Sequence, residues 1–160
     1  MLTPVHWVET GAPGRLGIMA RPRGGDWLED ELKGLARGGV RVLVSMLTDD
    51  EAAELGLSNI SAQPINGLDF VRFPIPDREV PSSEPDALEF ARALHLRIVN
   101  GDGVAIHCRM GIGRSSLMAA LVLRLCGLSA DEAFKRLSAA RGFEVPDTAQ
   151  QRSWVANVTL

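Results

Sequence analysis

The sequence predicts an α/β domain in which a central, mostly parallel sheet is flanked by helices. Short apolar runs suited to strands alternate with longer stretches that carry apolar residues at helical spacing. In addition, the apolar run 104–106 leads through a glycine-containing loop, residues 108–113, into an almost wholly apolar segment that begins at Leu117. We call residues 108–113 the Cys loop. We expect it at the carboxyl end of a central strand, where open α/β sheets bind their ligands.

The first half of the chain is predicted to contain three strands and two helices. The strands are expected over residues 5–8, 16–20 and 40–44. Apolar residues at helical spacing predict a first helix that has Asp26 as its N-cap, includes Trp27 and ends at Gly38. A short second helix, opened by acidic residues, is predicted over residues 49–55.

The second half is predicted to contain two further strands and four helices. One strand begins at Phe70 and leaves the sheet at Pro74 and Pro76, because proline cannot continue a ladder of hydrogen bonds. Asp77 therefore lies on a loop beyond a strand end. The central strand is expected over 104–106. The helices are predicted over residues 84–99, 117–125, 129–140 and 148–158.

Composition is that of an ordinary globular protein. Of its 160 residues, 46% are hydrophobic and 23% charged, and no linker or repeat divides them, so we predict one domain over residues 1–160. A formal charge of −3 and only 5% aromatic residues do not favour a nucleic-acid partner. The sequence shows no signal peptide and no apolar stretch long enough for a membrane span. Its two cysteines lack disulfide or zinc spacing, which indicates a reducing compartment, and we predict a cytoplasmic location.

The Cys loop has the features of a phosphate-binding site with a nucleophile at its start. Gly111 and Gly113 permit backbone conformations in which successive N–H groups converge on one anion, and the following helix N-terminus adds partial positive charge. These groups and Arg114, whose planar guanidinium can hold two phosphoryl oxygens, favour the thiolate form of Cys108. Ser115 can donate a hydrogen bond to that sulfur. The residues predicted to bind phosphate are Arg109, Met110, Gly111, Ile112, Gly113 and Arg114.

A family resemblance follows from the motif His107-Cys108-x-x-Gly111-x-Gly113-Arg114-Ser115. It resembles the His-Cys-x5-Arg-Ser/Thr signature of the cysteine-dependent protein tyrosine and dual-specificity phosphatases, in particular the small dual-specificity-like members. The resemblance implies a phosphatase-type Cys loop between a central strand and a helix. It also implies catalysis without metal or cofactor through a phospho-cysteine intermediate, with Cys108 as nucleophile, Arg114 on phosphate and Ser115 assisting release.

The general acid is expected on the loop after the Phe70 strand. Ile75-Pro76-Asp77 looks like the family's mobile acid loop, with Ile75 where the larger tyrosine-specific members carry Trp. A carboxylic acid opposite the thiolate can protonate the leaving oxygen, so we predict Asp77 as acid and then base. The alternatives to it are Asp69, Glu79 and Glu84.

Two further residues are predicted to support the site. His107 is expected to hold the loop through hydrogen bonds. Residues 145–151 resemble the family's glutamine segment, which positions the hydrolytic water; of two adjacent glutamines we prefer Gln150, and Gln151 remains the alternative. No metal is predicted, because the three histidines and two cysteines are too dispersed for a zinc motif.

These observations predict a phosphomonoester hydrolase that acts on phosphotyrosine and/or phosphoserine/threonine of proteins. The expected partner is a phosphorylated protein or a small phosphate ester, and the oligomeric state is not indicated. One alternative is hydrolysis of phosphoinositides or other small phosphate esters. The resemblance makes it less favoured, because the family's lipid-directed members usually carry lysines in the Cys loop and this loop has none. Another is a non-catalytic phosphate-binding module, against which the intact cysteine, arginine and acid argue.

Overall fold

A computed structural model of the protein describes residues 2–63, 65 and 67–160. Its strands are β1 (His6–Val8), β2 (Arg15–Met19), β3 (Val40–Ser45), β4 (Asp69–Arg72) and β5 (Gly103–His107). They form a five-stranded sheet in the order β1-β2-β5-β3-β4. β1 is antiparallel to β2, whereas the other neighbouring pairs are parallel. The predicted α/β fold with a mostly parallel central sheet is confirmed.

β5 lies at the centre of the sheet. All five of its residues are buried, so its nearly continuous apolar sequence is that of a parallel strand covered on both faces. At its end, His107 is level with Met19 of β2 and Ser45 of β3. The carboxyl ends of three parallel strands therefore meet at one edge, and the Cys loop leaves from the middle of that edge.

Helices cover both faces of the sheet. They are α1 (Leu28–Arg37), α2 (Asp49–Glu54), α3 (Glu84–Val99), α4 (Arg114–Leu125), α5 (Ala130–Arg141) and α6 (Ala149–Asn157). α1 packs on one face, where Leu32 joins a cluster with Leu43 and Ala105, and α3 to α6 pack on the other. No helix in the described parts of the chain combines the length and apolar character that crossing a membrane requires.

α4 runs through the core directly behind the Cys loop. Its residues 114–123 are all buried, which explains why the sequence shows no polar face there. The helix therefore holds Arg114 and Ser115 in fixed positions at its first turn. A rigid first turn is what a site that binds phosphate at a helix N-terminus requires.

The start of α1 differs from the prediction. Asp26 does not cap the helix, because residues Gly25–Trp27 form a 3-10 turn and α1 begins at Leu28 without a side-chain capping bond. Gly25, with a φ of 59°, directs the chain into that turn. Trp27 is therefore out of phase with the buried face of α1 and is 56% exposed, with the Arg23 guanidinium 4.6 Å from its ring centre.

Candidate active site

The Cys loop packs directly against the end of β2. Gly111 has a φ of 72°, and a Cβ atom there would lie 2.5 Å from the Met19 carbonyl carbon and 2.6 Å from the Ala20 nitrogen. A larger residue at position 111 would therefore meet backbone on a neighbouring strand and adopt an unfavourable conformation. The glycine fixes the loop at the carboxyl edge of the sheet.

The carbonyl groups of the Cys loop are bound from outside the cleft. Arg141 of α5 donates from Nε to the Gly111 carbonyl at 3.2 Å and from Nη2 to the Met110 carbonyl at 3.1 Å. The Arg21 N–H donates to the Arg109 carbonyl at 3.2 Å. Because C=O and N–H of one peptide point in opposite directions, these bonds turn loop N–H groups toward the cleft, where they can hold an anion. The sequence analysis missed Arg141, which no local pattern marks.

Cys108 and Ser115 are brought into contact. The Cys108 side chain is only 3% exposed, and its Sγ lies 3.3 Å from the Ser115 Oγ in the first turn of α4. When the sulfur is ionised, the hydroxyl can donate a hydrogen bond to it. This is the geometry that a hydroxyl needs in order to stabilise a departing thiolate.

Arg114 is buried, and both of its terminal nitrogens have partners within the protein. Its Nη1 and Nη2 donate to the two carboxylate oxygens of Glu51 at 2.6 and 2.9 Å, and Nη1 also donates to the Ile75 carbonyl at 2.8 Å. Nη2 lies 3.3 Å from the Asp77 Oδ1. Only 2% of the Arg114 side chain is exposed, so these partners fix the plane of the guanidinium before any phosphate binds.

Glu51 is a site residue that the sequence analysis missed. It is the third residue of α2 and forms a capping box with Thr48, which aims its carboxylate back toward the Cys loop. Burial raises the pKa of Glu51, but hydrogen bonds from Arg114 and Thr48 lower it more, to about 2. The carboxylate is therefore charged at neutral pH. The Thr-x-x-Glu pattern was the available sequence signal for its orientation.

Asp77 lies where the sequence predicted it, on the acid loop, which we define as residues 75–79. Ile75 anchors this loop: its side chain is 1% exposed and its N–H donates to the Met46 carbonyl at 3.0 Å. The Asp77 side chain is 61% exposed and faces Arg114. A carboxyl group near the phosphate-binding guanidinium and open to solvent is suited to exchange protons with a bound ester and with water.

The acid loop is tied to the tail segment, residues 145–151. Arg78 pairs with Asp147 at 2.9 Å, and the Gln151 Nε2 donates to the Glu79 carbonyl at 3.1 Å. The Gln151 amide also lies against the Cys loop, since a Cβ atom on Gly113 would meet it at 3.0 Å. These contacts hold Asp77 over the Cys loop.

The structure places Gln151, and not the preferred Gln150, at the Cys loop. Gln151 is buried and forms a capping box with Thr148, whereas Gln150 is exposed at the second position of α6. Adjacent helical residues point about 100° apart, so only one of the two can face the loop. The capping box decides which one does.

His107 is buried behind Cys108. Its Nδ1 lies 3.2 Å from the Cys108 carbonyl oxygen, and because a carbonyl only accepts, Nδ1 carries the proton. Burial lowers the pKa of His107 to about 4, so the ring is neutral at physiological pH. This bond holds the peptide that follows Cys108.

One open cleft of about 170 Å³ is lined by predicted residues of the acid loop and the Cys loop together with Arg114, and by Arg78 and Asp147. Of the other predicted residues, Gly111, Ser115, His107 and Gln150 do not line it. The Arg109 side chain is paired with Glu54 at 3.0 Å and approaches Glu51 at 3.5 Å, while Met110 is 57% exposed. In the described residues, no three His, Cys, Asp or Glu side chains are grouped as a metal site would need.

Comparison with solved structures supports the fold. Kinase associated phosphatase, with its catalytic cysteine substituted by serine, superposes with a TM-score of 0.85 at 22% identity, over 97% of this chain and 93% of that one. Tk-PTP in its active form gives 0.68 at 24% identity, over 96% and 95% of the two chains. Human DUSP28 gives 0.67 at 20% identity, over 96% and 94%.

A match in sequence identifies the family. Residues 17–127 match the family described as Tc-R-P, polymorphic toxin system, DSP-PTPase phosphatase. The matched region spans more than half of the chain and contains the acid loop, the Cys loop and α4. The predicted resemblance is confirmed: the chain belongs to the DSP-PTPase phosphatases of polymorphic toxin systems, a family of cysteine-dependent, dual-specificity-type enzymes.

Proposed function

We propose that the protein removes phosphate from phosphotyrosine and/or phosphoserine/threonine of proteins through a phospho-Cys108 intermediate. The observation that carries this proposal is the convergence of Cys108, Arg114 and Asp77 on one cleft. Membership of a cysteine-dependent phosphatase family supports the reaction class.

In the first step, the Cys108 thiolate attacks phosphorus, so that an S–P bond forms as the ester P–O bond breaks. Asp77 gives its proton to the leaving oxygen, which departs as an alcohol or phenol. Arg114 and the loop N–H groups bind the equatorial phosphoryl oxygens, whose charge they stabilise in the transition state. The prior fixation of Arg114 by Glu51 removes the need to reorient it during the reaction.

In the second step, water attacks the phospho-cysteine and the S–P bond breaks. Asp77, now ionised, takes a proton from the water, and Ser115 donates a hydrogen bond to the departing sulfur at the contact described above. We assign the orientation of this water to the tail segment, in which the Gln151 amide lies between the Cys loop and the acid loop. Inorganic phosphate is released and the thiolate is regenerated.

The cleft supports a protein substrate more than a phosphoinositide. A polyphosphorylated headgroup needs several free cations, but the additional cation of the Cys loop, Arg109, is neutralised by Glu54 and Glu51. A phosphorylated side chain needs a single phosphate site, which Arg114 and the loop provide. The cleft is small and open, so that a phosphorylated side chain can enter it while its polypeptide stays outside.

We further propose that the protein acts as one domain in the reducing cytoplasm. Its two cysteines, Cys108 and Cys126, are both free thiols, which supports a reducing compartment. Burial raises the pKa of Cys126 and favours its unreactive thiol form.

The test of the reaction is Cys108→Ser. Hydrolysis of p-nitrophenyl phosphate should be abolished, while phosphate binding, followed by calorimetry, is largely retained, and vanadate should inhibit the wild type competitively. Phosphopeptides, phosphoinositides and sugar phosphates compared side by side then test the substrate class. A variant that keeps more than a few per cent of activity contradicts the covalent mechanism, and faster turnover of phosphoinositides than of phosphopeptides contradicts the protein substrate.

A further inference from the structure

The acid loop separates the catalytic cleft from a second, larger groove. Ile75, Pro76 and Glu79 of the acid loop line the groove, whereas Asp77 and Arg78 of the same loop line the cleft. The groove measures about 400 Å³, which is within the range of small-molecule sites, and it shares no lining residue with the cleft. A molecule bound in the cleft therefore has to cross only one loop to reach the groove.

Prolines close the sheet edge beside this groove to a further strand. β4 is an edge strand, and beyond it Phe73 and Ile75 donate their N–H groups to carbonyl groups at and just past the end of β3, at 2.9 and 3.0 Å. The alternate residues, whose backbone groups point away from β3, are Pro74 and Pro76, and they have no N–H to donate. An extended segment of another protein therefore cannot pair with this edge through a regular ladder. The groove is suited instead to a side chain.

Most of the groove lining is apolar. Phe73, Val80 and three prolines, Pro74, Pro76 and Pro81, contribute to it. Because proline fixes its own φ, these walls keep their shape before a ligand binds, and little conformational entropy is lost on binding. The groove can therefore accept an aliphatic chain.

Both charged residues that line the groove are acidic. They are Glu79 and Asp86, which are exposed and have no ion-pair partner among the described residues. Arg78, the neighbour of Glu79, pairs with Asp147 on the cleft side at 2.9 Å. An acid in the first turn of α3, such as Asp86, also complements the helix dipole, but Glu79 is not part of a helix. Two carboxylates beside one apolar groove favour a cationic ligand.

We propose that the groove binds an arginine or lysine side chain of the phosphoprotein substrate, two or three residues from the phosphorylated one. The proposal rests on the protein substrate proposed above and adds a sequence preference to it. The aliphatic stem of the side chain packs on Val80 and the prolines, and its charged end lies near Glu79 and Asp86.

The width of the acid loop sets this separation. The turn from Pro76 to Glu79 is closed by a hydrogen bond from the Glu79 N–H to the Pro76 carbonyl at 3.0 Å, so the Cα atoms at its two ends are within about 7 Å of each other. An extended polypeptide advances about 3.3–3.6 Å per residue. Two or three substrate residues therefore span the turn.

The experiment compares phosphopeptides that contain arginine with peptides that contain citrulline, which has the same length but no charge. A single arginine or citrulline is placed in turn at each of several positions on either side of a phosphotyrosine or a phosphoserine. Binding to the Cys108→Ser protein is measured by fluorescence anisotropy. Two or three residues away on one side, arginine should tighten binding about fivefold, as two exposed charge pairs provide, and added salt should reduce this preference.

Variants that remove one charge each locate the site. Glu79→Gln and Asp86→Asn, made in the Cys108→Ser protein, should each weaken the preference for arginine and together abolish it, while citrulline peptides bind as before. Glu89→Gln is the matched control, because Glu89 is an exposed acid of α3 that does not line the groove, and it should keep the preference.

The proposal is overturned if no position favours arginine over citrulline, if the double variant keeps the preference, or if Glu89→Gln loses it. Since these measurements follow binding alone, they are distinct from the test of the proposed reaction, which is hydrolysis of p-nitrophenyl phosphate by the wild type.

Discussion

Replacement of Glu51 by glutamine should destabilise the protein and loosen Arg114, the arginine that we propose binds phosphate. Glu51→Gln keeps the size of the side chain and one acceptor oxygen but removes the negative charge. It leaves the Arg114 guanidinium, of which only 2% is exposed, with Asp77 as its remaining acidic partner within 4 Å in the described residues. A buried cation that loses its principal partner is costly, because the lost hydration is no longer compensated.

The magnitude follows from the pKa of Glu51. A decrease from 4.5 in the unfolded chain to about 2 in the folded protein corresponds to about 3 kcal/mol of stability at neutral pH. Part of this comes from Thr48, whose bonds the glutamine can partly retain, so we expect Glu51→Gln to lower the free energy of unfolding by about 2–3 kcal/mol. Since the folded pKa is depressed, this stability is fully present above about pH 5 and is lost as the pH falls toward 2.

Urea denaturation at a series of pH values measures this effect. The variant should be less stable than the wild type at pH 7, and the difference should shrink as the solution is acidified below pH 5. Glu54→Gln is the matched control, because Glu54 also pairs with an arginine of the site but is 67% exposed, and it should cost less than about 1 kcal/mol. Equal losses in the two variants, or a Glu51→Gln difference that does not depend on pH, would refute the assigned role of the buried pair.

Three further predictions concern the proposed proton transfer by Asp77 and the residues Arg141 and His107, which bind carbonyl groups of the Cys loop. Asp77→Asn should slow alkyl phosphates by about 10²–10⁴-fold but activated aryl phosphates far less, because only a poor leaving group needs the proton; equal losses in a comparison of the two ester classes would mean that Asp77 merely shapes its loop. Arg141→Met, which removes the donors to two Cys loop carbonyls, should lower kcat/KM about tenfold, whereas Arg136→Met on the same helix, whose side chain pairs with Glu132, should not; steady-state kinetics decides. Burial lowers the pKa of His107 from 6.5 to about 4, so below pH 6.5 the unfolded chain binds a proton that the folded protein excludes, and wild-type stability falls as the pH drops from 6.5 to 4. In urea denaturation at a series of pH values, the His107→Gln variant should not show this fall in stability between pH 6.5 and pH 4. If its stability depends on pH as that of the wild type does, the folded protein does not hold the His107 ring neutral.

The sequence predicted the local parts of the site well. Cys108, Arg114 and Ser115 are separated by a short glycine-containing loop, so their spacing alone defines the geometry around one anion. The position of Asp77 was also predictable, because two prolines end the preceding strand. Asp77 therefore lies at the carboxyl edge of the sheet, where the Cys loop also lies.

Contacts between distant parts of the chain could not be predicted in the same way. Glu51 meets Arg114 across 63 positions, and three consecutive acidic residues open α2, so composition does not identify the one that turns inward. The choice between Gln150 and Gln151 likewise depends on helical phase. In both cases a threonine three residues earlier fixes that phase through a capping box, and this local signal could have been used.

The tie between the acid loop and the tail segment has a consequence for the response to salt. The Arg78 and Asp147 side chains are 63% and 36% exposed, so their attraction is screened by dissolved ions, whereas the bond from Gln151 to the Glu79 carbonyl involves no net charge. Raising the ionic strength therefore weakens the Arg78–Asp147 ion pair and leaves the hydrogen bond from Gln151 to the Glu79 carbonyl unchanged. We therefore expect the acid loop, which carries the proposed general acid Asp77, to open more often in concentrated salt. The Arg114–Glu51 pair beneath it is buried and should be little affected.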